Sequence, residues 1–248
     1  MAQKSLQIMM ISLNAALYAV LGYMTFLGIF APIVGVVRFW GIAVVIPAVF
    51  AVLFGGIVGG VGAAIGIFIS DMVIHGNALL SLTVGVPANF VMFYLIGRLG
   101  EVRLRVAAVN LGLAVGCLII FVLFLTRWVM GSDFTAEAAV ILLVFTAASI
   151  ALTFALVRLW SEWGGFAVAS IIGNALGSAI VGLGVWLFSQ FFILPANQGS
   201  KLPITAALIW FVWTFTNQMP FLLALGPPIL KACYRAFPSL ITPAEKRR

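Results

Sequence analysis

The chain has 248 residues, of which 64% are apolar and 8% charged, and its mean hydropathy is +1.25. Soluble globular chains carry about 25% charged residues, so this composition excludes a water-soluble domain and indicates one polytopic membrane domain over residues 1–248. The net charge of +7 does not point to nucleic acid, because the basic residues cluster only at Lys246, Arg247 and Arg248 and otherwise read as topology signals.

Lipid offers a bare backbone no hydrogen-bond partner, so apolar runs of about twenty residues without period-2 alternation predict helices. In chain order these are Leu6–Phe30, Trp40–Leu53, Gly55–Ile74, Leu79–Ile96, Val106–Thr126, Ala138–Val157, Phe166–Phe188 and Ile204–Leu225. The first run, Met9 to Ile29, has the length of a full span rather than a signal core and is expected to be a retained helix. The stretch from Trp40 to Val73 is long for one span and short for two. Pro47 and the cluster Gly55, Gly56, Gly59 and Gly60 favour a tight hairpin of short helices there. The expected fold is an all-α integral membrane protein, a bundle of about eight transmembrane helices, with six or seven spans as alternatives.

With eight spans and both termini cytoplasmic, Lys4, Arg98, Arg103, Arg105, Arg158, Lys231, Arg235, Lys246, Arg247 and Arg248 lie inside, and Arg38, Arg127 and Lys201 outside. That satisfies the positive-inside bias of a multi-pass cell-membrane protein. It also gathers Arg38, Asp71 and His75 at the outer mouth.

Small residues four apart allow close helix approach in lipid. Gly55/Gly59, Gly56/Gly60, Gly62/Gly66 and Gly173/Gly177 have this spacing and read as internal packing; Ala15/Ala19 reads either so or as a surface for another subunit. Polar residues within spans are costly and face a cavity or one another: Asn14, Asp71, Asn89, Asn110, Asn174, Asn217 and Gln218. A single membrane asparagine is read first as an interhelical tie. Asn217 and Gln218 are adjacent, about 100° apart on a helix, so at least one is expected to leave any single seam.

The candidate substrate-binding residues are Arg38, Trp40, Asp71, His75, Trp210, Trp213 and Asn217. Asp71 and His75 stand four apart and share a helix face; the pair serves equally as a helix-end ion pair or a ligand contact. Arg38 can grip a carboxylate in a bidentate fork, or snorkel beside an interfacial Trp40. Trp213 and Asn217 offer a stacking surface and a hydrogen bond to a flat heterocycle, although an aromatic belt explains the tryptophans equally well. No Walker loop, HExxH, GxSxG or metal-ligand cluster occurs, and Cys117 and Cys233 form no redox pair. Neither an enzyme activity, a cofactor nor a metal is expected, and ATP hydrolysis would need partners.

The segment VVRFWGIAVVIPAVFAVLFGGIVGGVGAAIGIFISD resembles the second and third helices of the substrate-binding S components of energy-coupling factor transporters. SLNAALYAVLGYMT, with Ala15 and Ala19, is similar to the alanine motif by which those subunits dock on a transmembrane T component, and NQMPFLLALGPPILKA to their last helix. The likeness covers about the first hundred residues and the last thirty. It implies a six-helix core, here with an extra pair around Val106 to Val157, and a high-affinity binding subunit for a vitamin or related micronutrient. Substrate would enter under the loop Ala31–Phe39 with Arg38 as a contact and Asp71 as a binding or structural acid. Ala15 and Ala19 would be the docking surface, while a T component and two ATPases supply the work. Two other readings are an ion-coupled secondary transporter built around Asp71, against which no internal duplication is visible, and a membrane enzyme or assembly factor acting on lipid. Thiazole, pyrimidine, pterin-like, deazapurine and indole compounds all suit the aromatic candidates, so the residues leave the substrate open.

Overall fold

The computed structural model describes residues 2–27, 40–100, 136–195 and 199–238. The expected span Val106–Thr126, the loop Ala31–Phe39 with Arg38, and Arg103, Arg105, Asn110, Cys117, Arg127, Lys246, Arg247 and Arg248 lie outside the described residues. Among the described residues every regular element is a helix: α1 (Ala2–Phe26), α2 (Val45–Phe54), α3 (Gly56–Ile74), α4 (Ala78–Leu99), α5 (Ala136–Arg158), α6 (Gly164–Phe191) and α7 (Thr205–Ala236). Five of these segments, Lys4–Phe26, Gly56–Ile74, Ala78–Leu99, Ser161–Phe191 and Thr205–Ala236, are long and apolar enough to cross a membrane.

The expected span Trp40–Leu53 is corrected. Trp40 to Val44 form turns, and the helix that follows has 10 residues. At 1.5 Å per residue it reaches about 15 Å, half of a hydrocarbon core of about 30 Å. Its Val45, Pro47, Ala48, Val49 and Ala51 are buried, so α2 is an internal strut touching α1, α3, α4 and α7. The expected glycine hairpin does form. Gly55 turns the chain from α2 into α3 with φ +95°, a conformation that a Cβ disfavours.

Glycines set the helix directions by letting backbones touch. Along α1 and α3, Asn14 meets Gly62, Tyr18 meets Gly66 and Gly22 meets Ser70, so these two helices run parallel. Between α3 and α4 the matches are Gly56 with Tyr94, Gly60 with Phe90 and Asp71 with Gly85, an antiparallel pair. Gly173 on Met92, Gly177 on Ala88 and Gly184 on Val84 make α4 and α6 antiparallel. Gly182 on Ala207 and the Asn174 Nδ2 bond to the Phe215 carbonyl, 2.9 Å, do the same for α6 and α7. Asn14 ties α1 to α3 through the Val58 and Gly59 carbonyls at 3.1 and 3.3 Å. Both asparagines are interhelical ties.

One end of the bundle therefore collects the ends of α1, α3 and α6 with the starts of α2, α4 and α7. Lys4, Arg98, Arg158, Lys231 and Arg235 sit at the other end, where α1 begins and α7 finishes. The interior is filled by Tyr18, Val44, Phe93, Ile96, Phe215, Met219 and Leu222. Ile65, Ile69 and Val73 form an exposed stripe on α3, and Leu13, Leu17 and Val20 are exposed on α1. Such apolar exteriors suit lipid and not water.

A Cβ at Gly97 would lie 2.6 Å from the Gly56 Cα and from the Ala51 carbonyl oxygen. Gly97→Val is expected to cost about 1–3 kcal/mol. Gly164→Ala, where no atom lies within 4 Å, should stay within about 0.5 kcal/mol. Thermal unfolding of both variants in detergent checks the contrast.

Candidate functional site

The α3–α4 turn is built by three residues. His75 closes α3 by donating its backbone N–H to the Asp71 carbonyl at 2.9 Å, and Gly76 reverses the chain at φ +67°. Asn77 then caps α4, its Oδ1 accepting from the Leu80 N–H at 2.9 Å. This short turn folds the start of α4 back over the end of α3. The Asp71 carboxylate reaches Ser81 Oγ, which donates to Oδ2 at 2.7 Å, and Oδ1 lies 3.4 Å from His75 Nε2. Gly85 makes this possible, since a Cβ there would stand 2.8 Å from Asp71 Oδ2.

Ser81 opens a π-helical turn, Ser81–Gly85, inside α4. Such turns rotate the following side chains relative to an α-helix and occur often at functional sites. One helical turn on, Asn89 donates through Nδ2 to the Gly85 carbonyl at 2.9 Å and accepts through Oδ1 from the Tyr18 hydroxyl at 2.7 Å. Trp40 lies beside Tyr18, ring centroids 5.9 Å apart, and against Gly22, whose missing side chain makes room for the indole.

These groups line one wall of a cavity of about 180 Å³. The facing wall is a stripe of α7 at helical spacing, Trp210, Trp213, Thr214, Asn217 and Gln218. Val181 and Val185 of α6 with Leu194 and Pro195 of the α6–α7 connection complete it. An engineered cavity of about 150 Å³ holds benzene, so this one has the size of a small ring compound.

Of the seven expected binding residues, Trp40, Asp71, His75, Trp210, Trp213 and Asn217 line this cavity, and Arg38 lies outside the described residues. Gln218 lines it too. Asn217 and Gln218, about 100° apart on the helix, both reach this wide cavity rather than one helix seam. Of the two readings of Ala15 and Ala19, internal packing or a docking surface, the burial favours packing: they are 4% and 8% exposed, with Ala15 lying against Gly66 of α3.

Other polar side chains that line the cavity, Tyr18, Asn89, Thr214 and Gln218, were not among the expected binding residues. Tyr18 had a signal in its sequence, since Asn14, Tyr18 and Gly22 recur every fourth residue on one face of α1. Two α7 groups have open bonding capacity. Asn217 Nδ2 donates to the Trp213 carbonyl at 2.8 Å, while Asn217 Oδ1 and Gln218 Oε1 are buried with no hydrogen-bond partner. No group of three or more His, Cys, Asp or Glu side chains stands together among the described residues. Compared with protein families, curated proteins and solved structures, the chain matches none.

Tyr18→Phe removes the bond to Asn89 and should lower stability by about 1 kcal/mol, because the part-buried amide oxygen loses its donor. The exposed Tyr23 provides the control, with Tyr23→Phe near zero in the same thermal-unfolding measurement.

Proposed function

We propose that this chain is a high-affinity membrane substrate-binding subunit for uptake of a vitamin or related micronutrient, working like an energy-coupling factor S component with a T component and ATPase partners. The observation that carries it is the cavity. It is a small, aromatic-walled chamber with a few converging polar groups, the general form of a small-molecule site, and it gathers residues from α1, α3, α4, α6 and α7 together with Trp40.

Charge placement supports an outward-facing site. Lys4, Arg98, Arg158, Lys231 and Arg235 lie at the end away from the cavity, whereas Lys201 lies between α6 and α7 at the cavity end. Under the positive-inside bias the cavity end then faces outward and both termini are cytoplasmic. Arg38, two residues before Trp40, remains a proposed contact at the entrance. Docking through α1 would use its exposed face, Leu13, Leu17 and Val20, rather than Ala15 and Ala19.

A second reading, an ion-coupled transporter, is favoured by one observation. Asp71 and His75 form a buried pair, their side chains 9% and 8% exposed, of the kind that relays protons in transporters.

Cells expressing the chain with and without T-component and ATPase partners, fed a labelled vitamin panel, separate the two. The capture-subunit reading expects one compound to accumulate only with the partners present and in the face of a protonophore. Accumulation by the chain alone, abolished by the protonophore and by Asp71→Asn, would transfer the function to ion coupling. Trp213→Ala, which removes one cavity wall, is expected to cut uptake at least about tenfold.

A further inference from the structure

The capture reading leaves open which edge a ligand turns to the protein, and the α7 wall narrows it. Two rows of side chains run along that wall at four-residue spacing, Trp213 with Asn217, and Trp210 with Thr214 and Gln218. Each row leads from an indole to a carboxamide. The Trp40 turn packs on α7 at the same level, since a Cβ at Gly41 would stand 2.5 Å from the Asn217 carbonyl oxygen. Rings that can stack on a flat ligand and amides that can read its edge are therefore neighbours.

The two carboxamides differ in how they are held. Asn217 Nδ2 is fastened to the Trp213 carbonyl at 2.8 Å, which fixes the plane of that amide. Gln218 Oε1 is buried without a hydrogen-bond partner, in a residue that is 7% exposed. A buried acceptor without a donor is costly, and an N–H from a bound molecule would complete it. The last torsion of a glutamine is broad, so Oε1 can turn toward the cavity without giving up a hydrogen bond of its own.

A carboxamide sets an acceptor and a donor side by side in one plane. Its complement is a ring edge with an N–H next to an acceptor, the bidentate pairing that glutamine makes with the edge of a nucleobase. A ring that offers only acceptors leaves Oε1 unpaired. The volume of about 180 Å³ admits one ring or a compact pair of fused rings.

We propose that Gln218 is a specificity-determining residue of the cavity and pairs with a flat nitrogen heterocycle that carries an N–H beside a carbonyl or ring nitrogen, of the cyclic-amide or aminated-heterocycle class. The inference rests on the capture reading and specifies its substrate class. The pairing requires no charge on either side.

The isomers 2-pyridone and 4-pyridone share one outline; the first has its N–H next to its carbonyl, and the second has the two across the ring. Benzene supplies the ring without either group. Binding of each to the purified full chain is measured by calorimetry. The expected result is that 2-pyridone binds at least about tenfold tighter than 4-pyridone. Gln218→Met keeps the length of the side chain and removes the amide. It is expected to erase that difference, to leave benzene binding unchanged, and to leave the melting temperature of the empty chain equal or higher, because an unpaired buried oxygen is gone. Equal binding of the two isomers, no binding of either, or a preference that survives in Gln218→Met overturns the proposal. So does a lower melting temperature with weaker binding of all three compounds, which is what a residue that only supports α7 would give. Should Gln218→Met fail to fold, Gln218→Leu takes its place, and failure of both marks a structural residue and overturns the proposal. Mass spectrometry of the compound that co-purifies from vitamin-supplemented cells keeps the two claims apart. A compound without such an edge overturns the edge pairing and leaves the capture reading standing, whereas a preparation with no compound and no response to a vitamin panel removes the capture reading itself.

Discussion

A buried carboxylate among apolar helices is the constraint on which the cavity end of this bundle depends. Asp71 has to be held by donors, and the chain provides them by folding the start of α4 back over the end of α3 within three residues. Gly76 permits the reversal, Asn77 caps the new helix, and the π-helical turn brings in Ser81 while Gly85 leaves room for the carboxylate. The same π-helical turn leads to Asn89, whose bond to Tyr18 ties in α1. Asp71 therefore links the local chemistry of one turn to the packing of three helices.

The rest of the bundle is organised so that this end can stay open while the interior stays tight. Lipid gives helices no hydrophobic reason to associate, so close packing and buried hydrogen bonds must hold them. Glycines on α3, α4 and α6 bring backbones into contact along most of their length, and Asn14 and Asn174 add hydrogen bonds across the same seams. Where α7 lines the cavity it carries tryptophans and amides in place of small residues, which spaces it from α1 and α4. Pro220 follows within a turn of Gln218; lacking an N–H, it leaves the Thr216 carbonyl without its usual helical donor.

Much of this was legible because lipid makes polarity expensive. The helical class, the Gly55 hairpin and the packing role of the glycine pairs follow from hydropathy and spacing. Asp71, His75, Trp213 and Asn217 stood out as polar or amphipathic groups in apolar runs. What failed did so for physical reasons. Hydropathy continues through Trp40 to Val44, so a turn and a ten-residue strut read like a span. Alanine looks alike to lipid and to a neighbouring helix, and nothing within α1 tells which face Ala15 and Ala19 occupy. Tyr18 and Asn89 depend on the α1 and α4 registers, which only the packed bundle fixes.

The central claim is that the space bounded by Asp71, Trp40 and Trp213 is a ligand site rather than a packing gap. The direct measurement is an experimental density map of the full chain purified from vitamin-supplemented cells, in a lipid nanodisc. The account predicts compact, flat density beside the tryptophans, within hydrogen-bond distance of the Asp71 carboxylate. A cavity closed by the protein's own side chains, or filled by a lipid acyl chain, would contradict it.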